Sequence, residues 1–350
     1  MIDRKKIKLL LFLTAVVLGL IFAFFGISAV ERLFEERSAL AYEEGEDDED
    51  DEEEEIELSE GELLINDKVY RYNAAVRNYL VIGTDVSGNH EAENPDEYQG
   101  NMADVLLLVV LNRSDNNYSV LEIDRNTVMK VPMMNVDGTV NARSIMQICT
   151  AHWYGGNPQM SSENTVNAVS ELLGGMPIDG YYELNMDAIE QLNHAIGGVT
   201  VTVEDDFSEV DPTLVKGQEI TLNDSQAYNY VHERMNVGDG SNEGRMARQE
   251  TYIKAFLNRL MERTEENPSF PNEIYTKMKE VAVTNMTGND FSRVLNRVNR
   301  GENQGTITFE GEHKLGQLIN DDTDHQEFYI DDTSYYQVMD KLFDLESVEE

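Results

Sequence analysis

The chain has 350 residues, 41% of them hydrophobic and 27% charged, enough to bury a sizeable core, which excludes wholesale disorder. Its 67 acidic and 27 basic side chains give a formal net charge of −40, which excludes a surface built to neutralise nucleic-acid phosphates, so any phosphate site must be a local basic pocket. The single cysteine, Cys149, excludes an intramolecular disulfide framework and any multi-cysteine zinc site, and reads as a small apolar core residue.

From Leu9 to Val30 the chain carries 22 residues without a charge. As a helix they span roughly 33 Å, the thickness of a bilayer core, and predict a transmembrane segment. Arg4, Lys5, Lys6 and Lys8 precede it, whereas only Arg32 and Arg37 follow, among acidic residues. The positive-inside rule therefore places residues 1–8 in the cytoplasm and the rest of the chain outside the cell membrane. A cleaved signal peptide is the rival, because Ala39-Leu40-Ala41 has the small-x-small form. The apolar run is long for that, and five charged residues stand between it and the site, so an uncleaved single-pass anchor is favoured.

Residues 43–60 contain 14 acidic side chains, unbroken from Glu46 to Glu55, too self-repelling and too poor in apolar residues to fold. Residues 31–74 are therefore expected as an acidic extracellular linker, a solvated, extended spacer. The sharper alternative is that it holds the folded part off an anionic membrane and cell-wall surface or gathers divalent cations, but such blocks are usually only solvating. From residue 75 to 345 strands alternate with helices without an internal repeat, predicting one α/β domain. Apolar runs at Tyr79–Ile82, Val105–Leu111, Tyr118–Ile123 and Val199–Val203 predict strands of the central sheet. Helices are expected at Thr165–Leu173, at Met186–Ala195 before Gly197-Gly198, and at Met246–Glu262, with Glu265–Pro271 as an exposed loop.

Several side chains could carry chemistry. Asp85 follows the strand ending at Gly83 and Asp104 opens the next, so both carboxylates can sit at one sheet edge. They read either as strand-end turn residues or as a pair suited to magnesium, which takes oxygen ligands and commonly uses one or two carboxylates beside phosphate and water. Arg125 lies directly after the strand Tyr118–Ile123, where α/β proteins place ligand-binding groups, or else pairs with Asp124. His232 and Arg234 are two apart and share a face of an extended segment. Arg245 and Gln249 are four apart near a helix N-terminus, where unpaired N–H groups favour an anion. Guanidinium forks, amides and helix ends are what a pyrophosphate site requires. Arg248 has the same setting and reads as a surface ion-pair partner.

Other chemistries fail on inspection. Gly83–Gly88 lacks the Lys and Ser/Thr of a P-loop, no G-x-S-x-G is present, and the six histidines show no H-E-x-x-H spacing. His90, His152, His194, His313 and His325 read as structural or surface residues, and Trp153 with Tyr154 as anchors of a loop.

In their order these segments resemble the LytR-CpsA-Psr family, membrane-anchored bacterial proteins that attach glycopolymers such as teichoic acid or capsule to peptidoglycan. The resemblance spans roughly residues 75–345. It rests on Asn78-Tyr79-Leu80-Val81-Ile82-Gly83-Thr84-Asp85, Ala103-Asp104-Val105-Leu106-Leu107, Asp124-Arg125-Asn126-Thr127 and Ile196-Gly197-Gly198-Val199. It continues through Tyr230-Val231-His232-Glu233-Arg234 and Gly244-Arg245-Met246-Ala247-Arg248-Gln249. It implies a three-layer α/β/α domain with a central mixed sheet, an apolar cavity for a polyprenyl chain, and a mouth that binds its pyrophosphate through magnesium and arginines. Asp85 and Asp104 match the family's metal-binding aspartates, and Arg125, Arg234, Arg245 and Gln249 its phosphate-contacting residues. The chain departs from the family pattern at Met102 and Ala103, usually Arg and Ser, at Asn126, usually Asp, and at His232, usually Arg. A histidine of ordinary pKa, about 6.5, is charged only part of the time near neutrality, so that last departure predicts an anion affinity that rises in mild acid.

The resemblance implies a phosphotransferase of cell-wall assembly that moves a glycopolymer from a polyprenyl-pyrophosphate carrier to a peptidoglycan hydroxyl. Magnesium on Asp85 and Asp104 would offset diphosphate charge, and Arg125, Arg234 and Arg245 would stabilise the transition state. Gln249 would orient an oxygen, His232 would add a contact, and Asp239 is the candidate base. Two readings remain beside it: a pyrophosphate-binding relative without turnover, acting as regulator or scaffold, and an acidic membrane-tethered interaction domain.

Overall fold

Two short strands, β1 (Glu62–Ile65) and β2 (Lys68–Arg71), pair as an antiparallel hairpin in the segment expected as linker. The folded part reaches back to them because Leu63 and Ile65 alternate inward into the core, beyond what the surrounding charge signals. The computed structural model describes residues 58–66, 68–84, 98–185, 188–240, 242–267, 269–279, 281–319 and 323–348. The expected anchor at 9–30 and the acidic run at 46–55 lie outside the described residues. Among the described residues no helix is long and apolar enough to cross a membrane.

Three strands form the middle of the central sheet: β3 (Val76–Thr84), β4 (Ala103–Asn112) and β5 (Tyr118–Ile123). In β4 only the last residue is not buried, which is why the sequence reads there as an unbroken apolar run. Its side chains alternate between two cores, Val105, Leu107, Val109 and Leu111 into one and Leu106, Leu108 and Val110 into the other. A long ribbon follows, β6 (Val128–Met134) with β7 (Val140–Gln147), then a 3-10 turn at Ile148–Trp153. Helix α1 (Pro158–Leu172) starts earlier than the apolar periodicity indicates, since Asn157 accepts the Met160 N–H as N-cap and Pro158 fits the first turn.

Next come β8 (Gly180–Asn185) and α2 (Ala188–Ile196), which Gly197 and Gly198 end at φ +82° and +90°. A Cβ at Gly198 would stand 2.7 Å from Thr221 Cγ2, so the chain passes the next ribbon too closely for a side chain. That ribbon is β9 (Thr200–Thr202) with β10 (Glu219–Thr221), and it corrects the expectation for Val199–Val203. The segment is a strand outside the central sheet, since only Val199, Val201 and Val203 turn inward while Thr200 and Thr202 stay exposed.

The C-terminal half adds α3 (Asp224–His232), opened by a reciprocal Asn223–Gln226 capping box, and α4 (Asn242–Glu266). Then follow α5 (Phe270–Met278), β11 (Ala282–Thr284), α6 (Gly288–Arg300) and β12 (Asn303–Thr308). The chain closes with the β13 (Gly311–Gly316) and β14 (His325–Ile330) hairpin, α7 (Asp332–Phe343) and β15 (Glu346–Ser347), which pairs with β2. The loop expected at Glu265–Pro271 is shorter than the sequence suggests: α4 runs to Glu266 and α5 starts at Phe270, with Ser269 exposed between them. Phe270 is buried beneath the Arg263 guanidinium, 4.7 Å from its ring centre, and Pro271 sits in the first turn of α5.

The central sheet has the order β11-β8-β3-β4-β5-β12, with β3/β8 and β5/β12 parallel and the other pairs antiparallel, so it is mixed. Residues of α2 to α6 pack on one face and those of α1, α7 and the β6–β7 ribbon on the other.

Candidate active site

A bulge where β3 ends and β4 begins sets the first group of site residues. Along β3 and β4 the pairing runs Gly83 to Val105 and then Thr84 to Ala103, so Asp104 is the extra residue on its strand. A bulge re-aims the side chain it carries. The nearly buried Asp104 carboxylate accepts a hydrogen bond from Arg125 Nη1, and Arg125 Nη2 donates to Met102 Sδ at 3.0 Å. Arg125 leaves β5 through a turn built by Asp124, whose carboxylate accepts from Asn126 N at 2.8 Å and whose carbonyl accepts from the Thr127 hydroxyl at 2.7 Å. The Arg125 carbonyl accepts from Cys149 N at 3.1 Å, which ties this turn to the 3-10 segment. Burial pushes the Cys149 thiol up to about 11, so it stays protonated, and Asp104 is the anion Arg125 meets at neutral pH.

Asp85 lies outside the described residues, directly after the last residue of β3. Among the described residues no group of three or more His, Cys, Asp or Glu side chains is gathered for a metal ion. Asp104, the described member of the expected pair, is a hard oxygen donor of the kind magnesium takes, so the donor chemistry fits.

The second group lies where α3 hands over to α4. His232 ends α3 with its ring stacked on Tyr228, centroids 4.8 Å apart, and its Nδ1 stands 3.4 Å from the Glu233 carboxylate. A turn from Arg234 to Gly240 follows, closed by Val237 N to the Arg234 carbonyl at 3.1 Å and Gly240 N to the Val237 carbonyl at 3.0 Å. Asp239 is exposed on this turn. Arg245, in the first turn of α4, is buried, and burial, then Arg234 and Arg248 beside it, lower its pKa to about 10. Gln249 lies one turn further along α4. The structure thus gathers Asp104 with Arg125, and Arg245 with Arg234 and Arg248.

Arg248 differs from its expected role as a surface ion-pair partner. Its side chain is 2% exposed and pairs with Asp205 at 2.5 Å, because the carbonyls of Tyr230 and Glu233 draw it inward. Two histidines also gain roles that spacing does not signal. His152 is buried, with Nδ1 3.0 Å from the Asn101 carbonyl and Nε2 3.1 Å from Glu183, whose carboxylate also accepts from Ser162 and Thr84 hydroxyls. His313 stands 3.4 Å from the Asp124 carboxylate, next to Arg125, with its ring against Phe328. Partners so distant in the chain leave no local pattern.

The family model described as LytR_cpsA_psr family matches residues 36–344. The chain is 28% identical over 166 residues to a Bacillus subtilis protein named polyisoprenyl-teichoic acid–peptidoglycan teichoic acid transferase TagU, covering 47% of this chain and 49% of that protein. A Bacillus cereus protein of the same name is 25% identical over 69% of this chain and 71% of its own length. Biofilm regulatory protein A of Streptococcus mutans is 25% identical over 52% of this chain and 43% of its own length. The chain thus spans about half or less of the Bacillus subtilis and Streptococcus mutans proteins. Among solved structures, Streptococcus agalactiae gbs0355 matches with a TM-score of 0.54 at 19% identity, over 78% of this chain and 90% of that one. Bacillus subtilis TagV matches at 0.50 and 20%, over 77% and 96%. At these identities the two structures speak for the shared mixed α/β fold alone. The family model, which covers most of the chain, goes further: this protein belongs to the LytR-CpsA-Psr family.

Proposed function

We propose that this protein is a membrane-anchored phosphotransferase that moves a glycopolymer from a polyprenyl-pyrophosphate carrier to a peptidoglycan hydroxyl. The observation that carries the reading is Arg245, buried in the first turn of α4 with Arg234 beside it, a local cationic site in a chain of net charge −40. A buried guanidinium with a second one beside it presents fixed donors that match the oxygens of a diphosphate. The names of the Bacillus relatives supply the glycopolymer class, teichoic acid, and the peptidoglycan acceptor.

In this reading Arg234 and Arg245 bind the diphosphate, and Arg125 turns from Asp104 toward the incoming phosphate. The acceptor hydroxyl attacks the phosphorus that bears the glycopolymer. A new P–O bond forms to peptidoglycan, the bond to the bridging diphosphate oxygen breaks, and polyprenyl phosphate leaves. Asp239, exposed on the turn that carries Arg234, takes the acceptor proton. Magnesium held by Asp104 and Asp85 would supply the countercharge for the diphosphate. The anchor at residues 9–30 keeps the catalytic domain at the outer face of the cell membrane, where carrier and acceptor meet.

A second reading, binding of the lipid pyrophosphate without turnover, draws on Met102. Its thioether is a weak acceptor for Arg125, where the family usually offers a second arginine. One experiment separates the two: mass spectrometry of lipid co-purified with the detergent-extracted protein, followed by incubation with magnesium and peptidoglycan fragments. Consumption of a bound polyprenyl pyrophosphate as polymer appears on the glycan is the expected result. Lipid bound but never consumed selects the second reading, and absence of lipid at good yield rejects both.

A further inference from the structure

Arg248 has its donors committed inside the protein. Nε donates to the Tyr230 carbonyl at 3.1 Å, Nη1 to Asp205 Oδ2 at 2.5 Å and Nη2 to the Glu233 carbonyl, while the guanidinium covers the Phe207 ring, 5.3 Å from its centre. Phe207 in turn stacks on Tyr230, with centroids 5.7 Å apart. With 2% of its side chain exposed, Arg248 does not reach a substrate. What it touches is the end of α3: the Glu233 carbonyl lies between His232 and Arg234, and C-terminal helix carbonyls carry partial negative charge that a guanidinium satisfies.

Asp205 holds the other side of the same turn. Gly238, at φ +60°, donates its N–H to the Asp206 carbonyl at 3.0 Å, and a Cβ there would stand 3.0 Å from Asp205 Oδ1. The carboxylate is thus wedged between the Arg248 guanidinium and the backbone of the turn that presents Arg234 and Asp239.

We propose that Asp205 and Arg248 are a positioning pair for the anion site, fixing where α3 ends and hence where Arg234 stands relative to Arg245. The inference rests on the pyrophosphate-binding reading above and deepens it. It also carries a distinctive sign. Asp205 is an anion beside an anion site, so through-space electrostatics alone predicts that removing its charge leaves pyrophosphate affinity unchanged or raises it. Positioning predicts the opposite.

The test is calorimetric titration of the detergent-solubilised full chain with geranylgeranyl pyrophosphate in the presence of magnesium. Asp205→Ala is expected to weaken binding by about tenfold or more, the scale of a lost charge-assisted contact. Asp205→Asn keeps an oxygen acceptor for Arg248 and is expected to restore affinity to within about threefold of the parent. Gly238→Ala, which alters no charge but pushes on the carboxylate, serves if Asp205→Ala fails to fold, and is also expected to weaken binding. Affinity equal to or tighter than the parent in whichever of Asp205→Ala and Gly238→Ala folds overturns the positioning role while leaving the site reading intact. A parent chain that binds no probe rejects the pyrophosphate reading, and this inference with it.

Discussion

Asp104, at the start of β4, and Arg125, in the turn that leaves β5, form an ion pair, and the carboxylate belongs to the one residue of β4 that the bulge leaves without a partner on β3. Both side chains are less than one-fifth exposed, so removing either strands a charge. Arg125→Ala should therefore cost about 3 kcal/mol of stability in urea unfolding, and Asp104→Asn added to it should recover a substantial part. Transfer activity should fall by about 100-fold or more in Arg125→Ala, because the guanidinium is also the phosphate ligand of the proposed reaction. A double variant no more stable than Arg125→Ala would show that the pair contributes little.

Glu183 and His152 supply a second prediction, on pH. Both His152 ring nitrogens face oxygens, the Asn101 carbonyl at 3.0 Å and the Glu183 carboxylate at 3.1 Å. Burial alone would raise the Glu183 pKa, but His152, then the Ser162 and Thr84 hydroxyls, outweigh it and hold the carboxyl below its ordinary value of 4.5. A carboxyl lowered on folding contributes stability that is full above the unfolded value and is lost as pH falls through the folded one. Glu183→Gln should cost about 3 kcal/mol at pH 7, the scale for breaking a buried pair. The gap between variant and parent should narrow as pH falls below about 4, as measured by thermal unfolding across pH 3–7. A constant gap would contradict the assignment.

How far the sequence carried the architecture depends on where each residue's partners lie. The Val105–Leu111 strand is legible because both faces of β4 are covered, and apolar side chains therefore follow one another without a gap. The β6–β7 ribbon is not, since Pro132 stands within β6, Ser144 and Ile145 reverse the alternation of β7, and Arg143 finds its partner, Glu171, on α1. The bulge at Asp104 is a property of pairing with β3 and has no signature in the strand itself. Arg245 and Arg248 are equally visible as charges near a helix start. Which one stays near the anion site and which is spent on the core depends on the carbonyls of Tyr230 and Glu233 and on Asp205, 43 positions before Arg248.

Cys149 offers a probe of local opening. Its thiol is buried and pushed up to about 11, whereas alkylation needs an accessible thiolate. Iodoacetamide at pH 8 should label the folded protein roughly 100-fold or more slowly than the urea-unfolded chain, as followed by intact mass. Arg125→Ala, which loosens the turn whose carbonyl receives the Cys149 N–H, should speed labelling of the folded state. Equal rates in folded and unfolded protein would mean that the 3-10 segment opens freely.

Arg245 sets function against stability, and the two effects can be read in one variant. Burial, then Arg234 and Arg248, depress its pKa to about 10, against an ordinary guanidinium value of 12.5. The folded chain therefore holds this charge at a cost that the unfolded chain does not carry. Arg245→Met keeps an apolar stem and removes the charge. Without ligand its melting temperature should equal the parent's or exceed it by about 1–3 °C, on the scale of roughly 2–4 °C per kcal/mol for a domain of this size. Its affinity for a prenyl pyrophosphate should fall by about 10- to 100-fold, the loss expected for charge-assisted hydrogen bonds to phosphate oxygens. The parent, in turn, should gain thermal stability with added prenyl pyrophosphate, and Arg245→Met should gain much less. Differential scanning fluorimetry of both proteins over a ligand series measures all three quantities. A destabilised Arg245→Met that still binds would assign Arg245 a structural role and remove it from the site.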